Sequence, residues 1–222
     1  LINLADEVGD VCNKATGFFY KGNYFQDNGD IDEALNNYFK CLEIRKSNCE
    51  LARIASVLQM IGNMYGHKGD YDQAYSYSYQ ALAIFESEGD YSSAAHIYLN
   101  IGVLDSEREE FESALENIDK AHEMEARNEN IDSIMLGNVY NNYGTVYEAQ
   151  EMYDTAIFYF QKAMDLYELT NHKSGLSHGY NNIGICYYFV GYADSTMSYF
   201  KKSLEIRQSI GDKRAISQSY NN

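Results

Sequence analysis

A glycine embedded in an apolar, helix-periodic run recurs as Gly22, Gly62, Gly102, Gly144 and Gly184, at intervals of 40, 40, 42 and 40 residues. Self-similarity at a fixed period of this length points to a stacked array, because a single unit cannot bury its apolar face alone and must lay it on its neighbours. Twelve residues after each glycine comes a small residue, Ala34, Ala74, Ala114, Ala156 or Thr196. Four further on stand Tyr38, Ser78, Ile118, Phe160 and Phe200, and three beyond those Cys41, Ala81, Ala121, Ala163 and Ser203. A short break always separates the glycine from the small residue: Asn28-Gly29-Asp30, Lys68-Gly69-Asp70, Glu109-Glu110, Gln150-Glu151 and Val190-Gly191. A second break, Gly9-Asp10, Gly89-Asp90 and Gly211-Asp212, precedes the next unit. Each repeat therefore reads helix A, turn, helix B, turn.

A glycine inside a helix costs about 1 kcal/mol relative to alanine, so five of them in register need a physical reason. Close approach of helix B supplies one: with no side chain at the glycine and a methyl at the alanine expected opposite, the two axes can come nearer than bulky residues allow. Phe18, Leu58, Tyr98, Tyr140 and Tyr180 lie one turn before the glycine, and Tyr65, Tyr147 and Tyr187 three residues after it. This places them on one helical stripe, so the abundant tyrosine reads mostly as core.

These positions resemble the tetratricopeptide repeat family, whose pattern sets Gly or Ala and Tyr in helix A and Ala-x-x-x-Phe/Tyr-x-x-Ala in helix B. The likeness runs through five repeats. The period of 40 to 42 and the absence of proline are similar to the long-helix members found in kinesin light chains, Pins-type scaffolds and bacterial signalling proteins. The expected fold is all-α, a right-handed α-solenoid of stacked antiparallel helix pairs. We expect one solenoid over residues 1–222: a partial helix B at 1–9, repeats at about 11–49, 51–89, 91–129, 131–170 and 172–211, and a partial sixth repeat at 213–222. Tyr220-Asn221-Asn222 repeats Tyr180-Asn181-Asn182 at a distance of 40, so the sequence reads as a fragment of a longer protein.

Composition narrows the function. A net charge of −16, from 17 basic and 33 acidic residues, repels a phosphate backbone, so nucleic acid is not an expected partner. The most apolar stretch, Gly184 to Ala193, is far shorter than a membrane span of about 18 to 20 residues. Cys12, Cys41, Cys49 and Cys186 form neither the close pairs of a zinc site nor a disulfide scaffold, which fits a reducing cytoplasm.

Stacked helix pairs present the A helices along an extended binding surface. Asn100, Asn142 and Asn182 stand two residues before the glycine, and Asn141 and Asn181 three before it. Asparagine is a modest helix former, and its amide carries both the donors and the acceptors that an extended peptide backbone needs. The resemblance to kinesin light chains implies an asparagine ladder that holds cargo peptides; here it falls on Asn100, Asn141, Asn142, Asn181 and Asn182, with Asn23, Asn63 and Asn138 as outliers. The bland alternative is that these amides pair between neighbouring repeats. His96 and His178 share one position, six before the glycine, which suits groove lining, and Tyr188 adds an aromatic contact. Phe19, Leu99, Val103 and Ile185 occupy the places where co-chaperone members of the family carry a basic carboxylate clamp, so that mode is not expected.

Residues 105–130 hold ten acids against three bases, and an acidic docking patch centred on Glu107, Glu109, Glu110 and Glu112 competes with a plain solvated face. Asp27, Asp30 and Asp32 sit at a calcium-loop spacing, but Tyr38 occupies the closing position, and helix capping by Asp30 explains them more simply. No phosphate-binding loop, dinucleotide fingerprint or zinc-protease motif is present, and neither cofactor nor metal is expected. The leading function is a protein-interaction scaffold that takes a protein or peptide segment in the groove, without catalysis. A sensory or dimerising region of a bacterial signalling enzyme, a histidine kinase or nucleotide cyclase, is the second reading. Self-association through repeat edges is the third.

Overall fold

The apolar runs on either side of each glycine do form helices. A computed structural model of the chain describes residues 11–48, 51–128, 131–211 and 213–219; the partial helix expected at 1–9, Cys49 and Tyr220-Asn221-Asn222 lie outside these. The A helices are α1 (Val11–Asp27), α3 (Leu51–Lys68), α5 (Tyr91–Glu107), α7 (Ser133–Ala149) and α9 (Lys173–Val190). The B helices are α2 (Ile31–Asn48), α4 (Tyr71–Glu88), α6 (Phe111–Glu125), α8 (Tyr153–Leu169) and α10 (Ala193–Ile210), and α11 (Lys213–Ser219) follows. No strand occurs among the described residues. The chain divides into two units, Leu1–Leu104 and Asp105–Asn222, within the last turns of α5.

In the first unit α1 packs on α2, α2 on α3 and α3 on α4. The glycine does mark the closest approach, but the group that fills its notch is not the expected alanine. A Cβ on Gly22 would stand 2.5 Å from the Tyr38 ring, sixteen residues on, while Ala34 is fully buried beside it. Gly62 is the milder case: a Cβ there would meet Ser78 Oγ at 3.0 Å and the Ala74 carbonyl at 3.2 Å. The expectation was therefore four residues early. A flat ring, one turn beyond the small residue, lies across the bare backbone and gains more contact than a methyl can.

In the second unit consecutive helices from α6 to α11 pack pairwise, and α7 also reaches α9. Its notches repeat the device, with Phe160 at 2.5 Å from a Cβ on Gly144 and Phe200 at 2.6 Å from one on Gly184. Ala156, Phe160, Met164, Ile183 and Cys186 form a buried cluster, with Tyr147, Tyr153, Tyr180, Tyr187 and Tyr199 packed around it. Among the described tyrosines only Tyr38, Tyr143 and Tyr167 are buried, so most of this residue type sheathes the core instead of filling it.

The A–B turns share one backbone shape. At the first, Gly29 N–H donates to Gln26 O and Asp30 N–H to Phe25 O, at 3.0 and 2.9 Å, satisfying the last carbonyls of α1. Asp30 Oδ1 then accepts from the Glu33 N–H at 3.2 Å and caps α2, as expected, and Asp70 and Asp90 do the same for their helices.

One position escaped the sequence reading. Twenty-three residues after each glycine stand Arg45, Phe85, Glu125, Tyr167 and Arg207, all buried. The charged ones tie helix B to the next repeat by capturing its backbone: Arg45 Nη1 donates to Arg53 O at 2.6 Å, Arg207 Nη1 to Ala215 O at 3.0 Å, and Glu125 Oε1 accepts from the Asp132 N–H at 2.6 Å. Each burial is tolerated because the ion is hydrogen-bonded.

Candidate functional site

In α9, His178, Asn181, Asn182, Ile185, Tyr188 and Phe189 follow the three- and four-residue spacing of one helical face. In α7 the same register gives Asn138, Asn141, Asn142, Thr145, Glu148 and Ala149. The asparagines are half-buried, while His178, Tyr188 and Phe189 are exposed.

The amides bond from repeat to repeat. Asn182 Nδ2 donates to Asn141 Oδ1 at 3.3 Å in the second unit, and Asn100 Nδ2 to Asn63 Oδ1 at 3.0 Å in the first. Asn142 Nδ2 instead turns back onto the Asn138 carbonyl at 2.8 Å. The outliers belong to the packing: Asn138 Oδ1 accepts from the Tyr167 hydroxyl at 2.7 Å, and Asn23 Oδ1 from the Tyr38 hydroxyl at 2.8 Å. The Asn141–Asn182 pair fixes both amides in orientation and uses one end of each, so the Asn141 NH2 and the Asn182 carbonyl remain as a donor and an acceptor at the face. Asn181 lies beside them, half-buried.

Two turns beyond the amides, Glu148 is half-buried, and this burial pushes its carboxyl from the ordinary 4.5 up to about 7. Its charge is felt by two neighbours. Burial first, and the Glu148 charge second, push the Cys186 thiol up to about 12, so that side chain is a neutral apolar filler. The Tyr153 hydroxyl is raised as well, by desolvation and then by Glu151, Cys186 and Glu148. In the same unit the Tyr143 hydroxyl donates to Asp119, and burial with that bond holds it well above the ordinary tyrosine value.

A second recurrence also went unread. Lys40, Lys162 and Lys202, eighteen residues after their glycines, extend over Phe18, Tyr140 and Tyr180, four residues before them, with the ammonium 5.9, 5.1 and 5.4 Å from the ring centroid. The sequence reading takes the −4 position as part of an aromatic stripe, but it does not take in the lysine at +18 at all. These lysines explain how half-exposed rings are held on the B-helix side.

The acidic run is not uniform. Glu107, Glu109, Glu110 and Glu112 are exposed, with Arg108 Nη2 on Glu110 Oε1 at 2.8 Å. Asp105 is buried, however, and accepts from Ser113 Oγ at 2.9 Å and Asn117 Nδ2 at 2.8 Å, and Glu125 is the buried tie described above. Two of the ten acids are thus internal fastenings. Asp32 pairs with Lys68 at 2.7 Å. Among the described residues no group of three or more His, Cys, Asp or Glu could hold a metal ion, and no helix is long and apolar enough to cross a membrane.

A sequence model of the tetratricopeptide repeat matches residues 14–87, 50–125 and 93–169. The chain belongs to the tetratricopeptide repeat family. Solved structures with the same fold include BtubC (BKLC) from P. vanneervenii, 20% identical over 95% of this chain and 88% of that one, with a TM-score of 0.73. Aspartyl phosphate phosphatase F from Bacillus subtilis is 20% identical with a TM-score of 0.77, and a Rap protein complexed with Competence and Sporulation Factor is 18% identical with a TM-score of 0.81. This tetratricopeptide chain covers 91% of its own length in both, but spans only 53% and 56% of theirs. No curated protein matches its sequence significantly. At these identities the likeness extends to the fold alone, a stack of helix pairs, and it is the repeat family that supports a protein-interaction scaffold.

Proposed function

We propose that the second unit binds an extended peptide segment along the face formed by α7 and α9, with asparagine amides reading its backbone. The observation that carries this is the Asn141–Asn182 pair, which bonds across repeats yet leaves one donor and one acceptor free at the surface. A peptide amide presents the complementary carbonyl and N–H. Asn142 and Asn181 flank the pair, His178 and Tyr188 stand exposed on either side along α9, and in the first unit Asn100 bonds Asn63, one turn further along its helix than the place of Asn141. The Rap protein crystallised with Competence and Sporulation Factor supports the reading by analogy of fold. The chemistry asked of the site is recognition, and no nucleophile, base and oxyanion donor converge there.

The test is a pull-down with the parent chain beside a variant in which Asn141, Asn142, Asn181 and Asn182 are all alanine, after circular dichroism has shown equal helicity. A protein retained by the parent and lost by the variant is the expected outcome. Equal capture by both would remove the asparagine face from the function.

A further inference from the structure

At its C-terminal end the asparagine face of α9 runs through Tyr188 and Phe189 onto the A–B turns, where a second surface begins that does not rest on the asparagine reading. Where α9 turns into α10, Tyr188, Phe189 and Tyr192 are 67%, 60% and 60% exposed, and Val190 and Met152 are exposed with them. Phe189 stacks on Tyr153 of the preceding repeat, centroids 5.4 Å apart and planes within 8°, so the two turns form one continuous patch. Beside it is an open cavity of about 330 Å³ lined by Glu151, Met152, Tyr153, Asp154, Thr155 and Val190. Isolated exposed apolar residues need no explanation, but five from two adjacent turns around a cavity do.

The charge around this patch has one sign. Residues 128–161 contain no lysine, arginine or histidine, and neither do residues 179–200. Glu151 and Asp154 line the cavity, Glu148 lies one turn before Glu151, and Asp194 follows Tyr192. Carboxylates and aromatic faces both attract a cation, the first by Coulomb force and the second through the ring quadrupole. A second copy of this chain is a poor occupant, since each copy carries a net charge of −16.

We propose that the A–B turns of the fourth and fifth repeats form a docking surface for a cationic protein segment bearing an aromatic or aliphatic side chain. The apolar side chain enters the cavity between Met152 and Val190 and packs on Phe189, while flanking lysine or arginine residues meet Glu151 and Asp154.

Fluorescence anisotropy with a labelled peptide of sequence Arg-Trp-Arg-Leu-Lys-Arg tests this, using the whole chain. The expected result is saturable binding that weakens at least tenfold in Tyr188→Ser/Phe189→Ser and at least tenfold in Glu151→Gln/Asp154→Asn. It also weakens when Ser replaces the peptide's Trp and Leu, and it is unchanged in Asn181→Ala/Asn182→Ala, so failure here and failure of the asparagine face are told apart. Equal binding by the parent and both edge variants would mean diffuse attraction to an acidic protein, and overturns the proposal, as does absence of binding. A dimer detected by light scattering in the parent and abolished in Tyr188→Ser/Phe189→Ser would assign the patch to self-association and overturn it too. Both edge pairs are exposed or line an open cavity, and thermal melts matching the parent would separate lost binding from lost folding.

Discussion

The second and fourth repeats are built on one register, and three of the positions at which they differ bear on its notch and its turn. Sixteen residues after the glycine the second has Ser78 where the fourth has Phe160; four after, Gly66 against Glu148; seven after, Gly69 against Glu151. The backbone is the same at each. Both turns place the seventh residue in the left-handed region, with φ of 77° at Gly69 and 60° at Glu151, and both close with a bond back to a carbonyl five residues earlier. At the notch it is the second repeat that departs, with Ser78 where the first, fourth and fifth lay a ring, whereas at the seventh position the fourth repeat departs, with a glutamate where a left-handed backbone favours glycine. A departure that costs stability without improving packing points to a use outside the fold.

The sharpest way to break this comparison is at the notch. An alanine at Gly144 would put its Cβ 2.5 Å from two atoms of the fully buried Phe160 ring, so the ring or the helix must shift. The same change at Gly62 meets Ser78 Oγ at 3.0 Å and the backbone at Ala74 O and Ser78 N at 3.2 and 3.3 Å, contacts that ask for a shift of only a few tenths of an ångström. We expect Gly144→Ala to destabilise by about 3 kcal/mol and Gly62→Ala by about 1 kcal/mol or less, part of each cost being offset by alanine's better helix propensity. Urea denaturation measures both, and equal losses would mean that the ring is not what holds the fourth repeat's helices in place.

The next effect is electrostatic. The unfolded chain releases the Glu148 proton near 4.5, while the folded chain keeps it until about 7. Between those values the native state binds more protons, so stability falls as pH rises through this window and stays lower above it. After allowance for solvent screening the loss is about 2 kcal/mol. Glu148→Gln keeps the shape without the charge, and should be more stable than the parent by about that amount at pH 8 while matching it at pH 4. Denaturation at the two pH values decides it, and parallel profiles for parent and variant would place the carboxylate in free solvent. Gly66 offers no counterpart to this carboxylate in the second repeat.

How much of this could be read beforehand follows from what periodicity encodes. The glycines, small residues and breaks recur because the backbone must repeat, and they are enough to read helix pairs and turns without a structure. Which group fills a notch is set by side-chain direction, and a helical side chain covers the turn N-terminal to its own Cα; that is why the ring at Phe160, and not Ala156, lies on Gly144. Asp105 resembled part of a charge run because sequence does not distinguish an exposed acid from one bonded to Ser113 and Asn117. Glu148 was invisible for the opposite reason: one carboxylate in a tyrosine-rich helix looks solvated until Cys186 and Tyr153 are seen beside it.

The smallest effect carries the most information about use. A left-handed backbone at a non-glycine residue is strained by about 1 kcal/mol, and Glu151 and Glu109 both accept it, with φ of 60° and 62°. Glu151→Gly should therefore raise stability by about 0.5 to 1 kcal/mol, and Gly69→Ala should lower it by a similar amount, since both act on the same backbone need. If the glycine variant is stabilised and loses affinity for the cationic peptide, the strained glutamate is retained for what it contacts outside the chain. If it is stabilised and binds as before, Asp154 and the aromatic patch suffice, and Glu151 is a tolerated defect of the turn. If it gains no stability, the left-handed glutamate is not strained in this turn, and the difference between Gly69 and Glu151 has no energetic content.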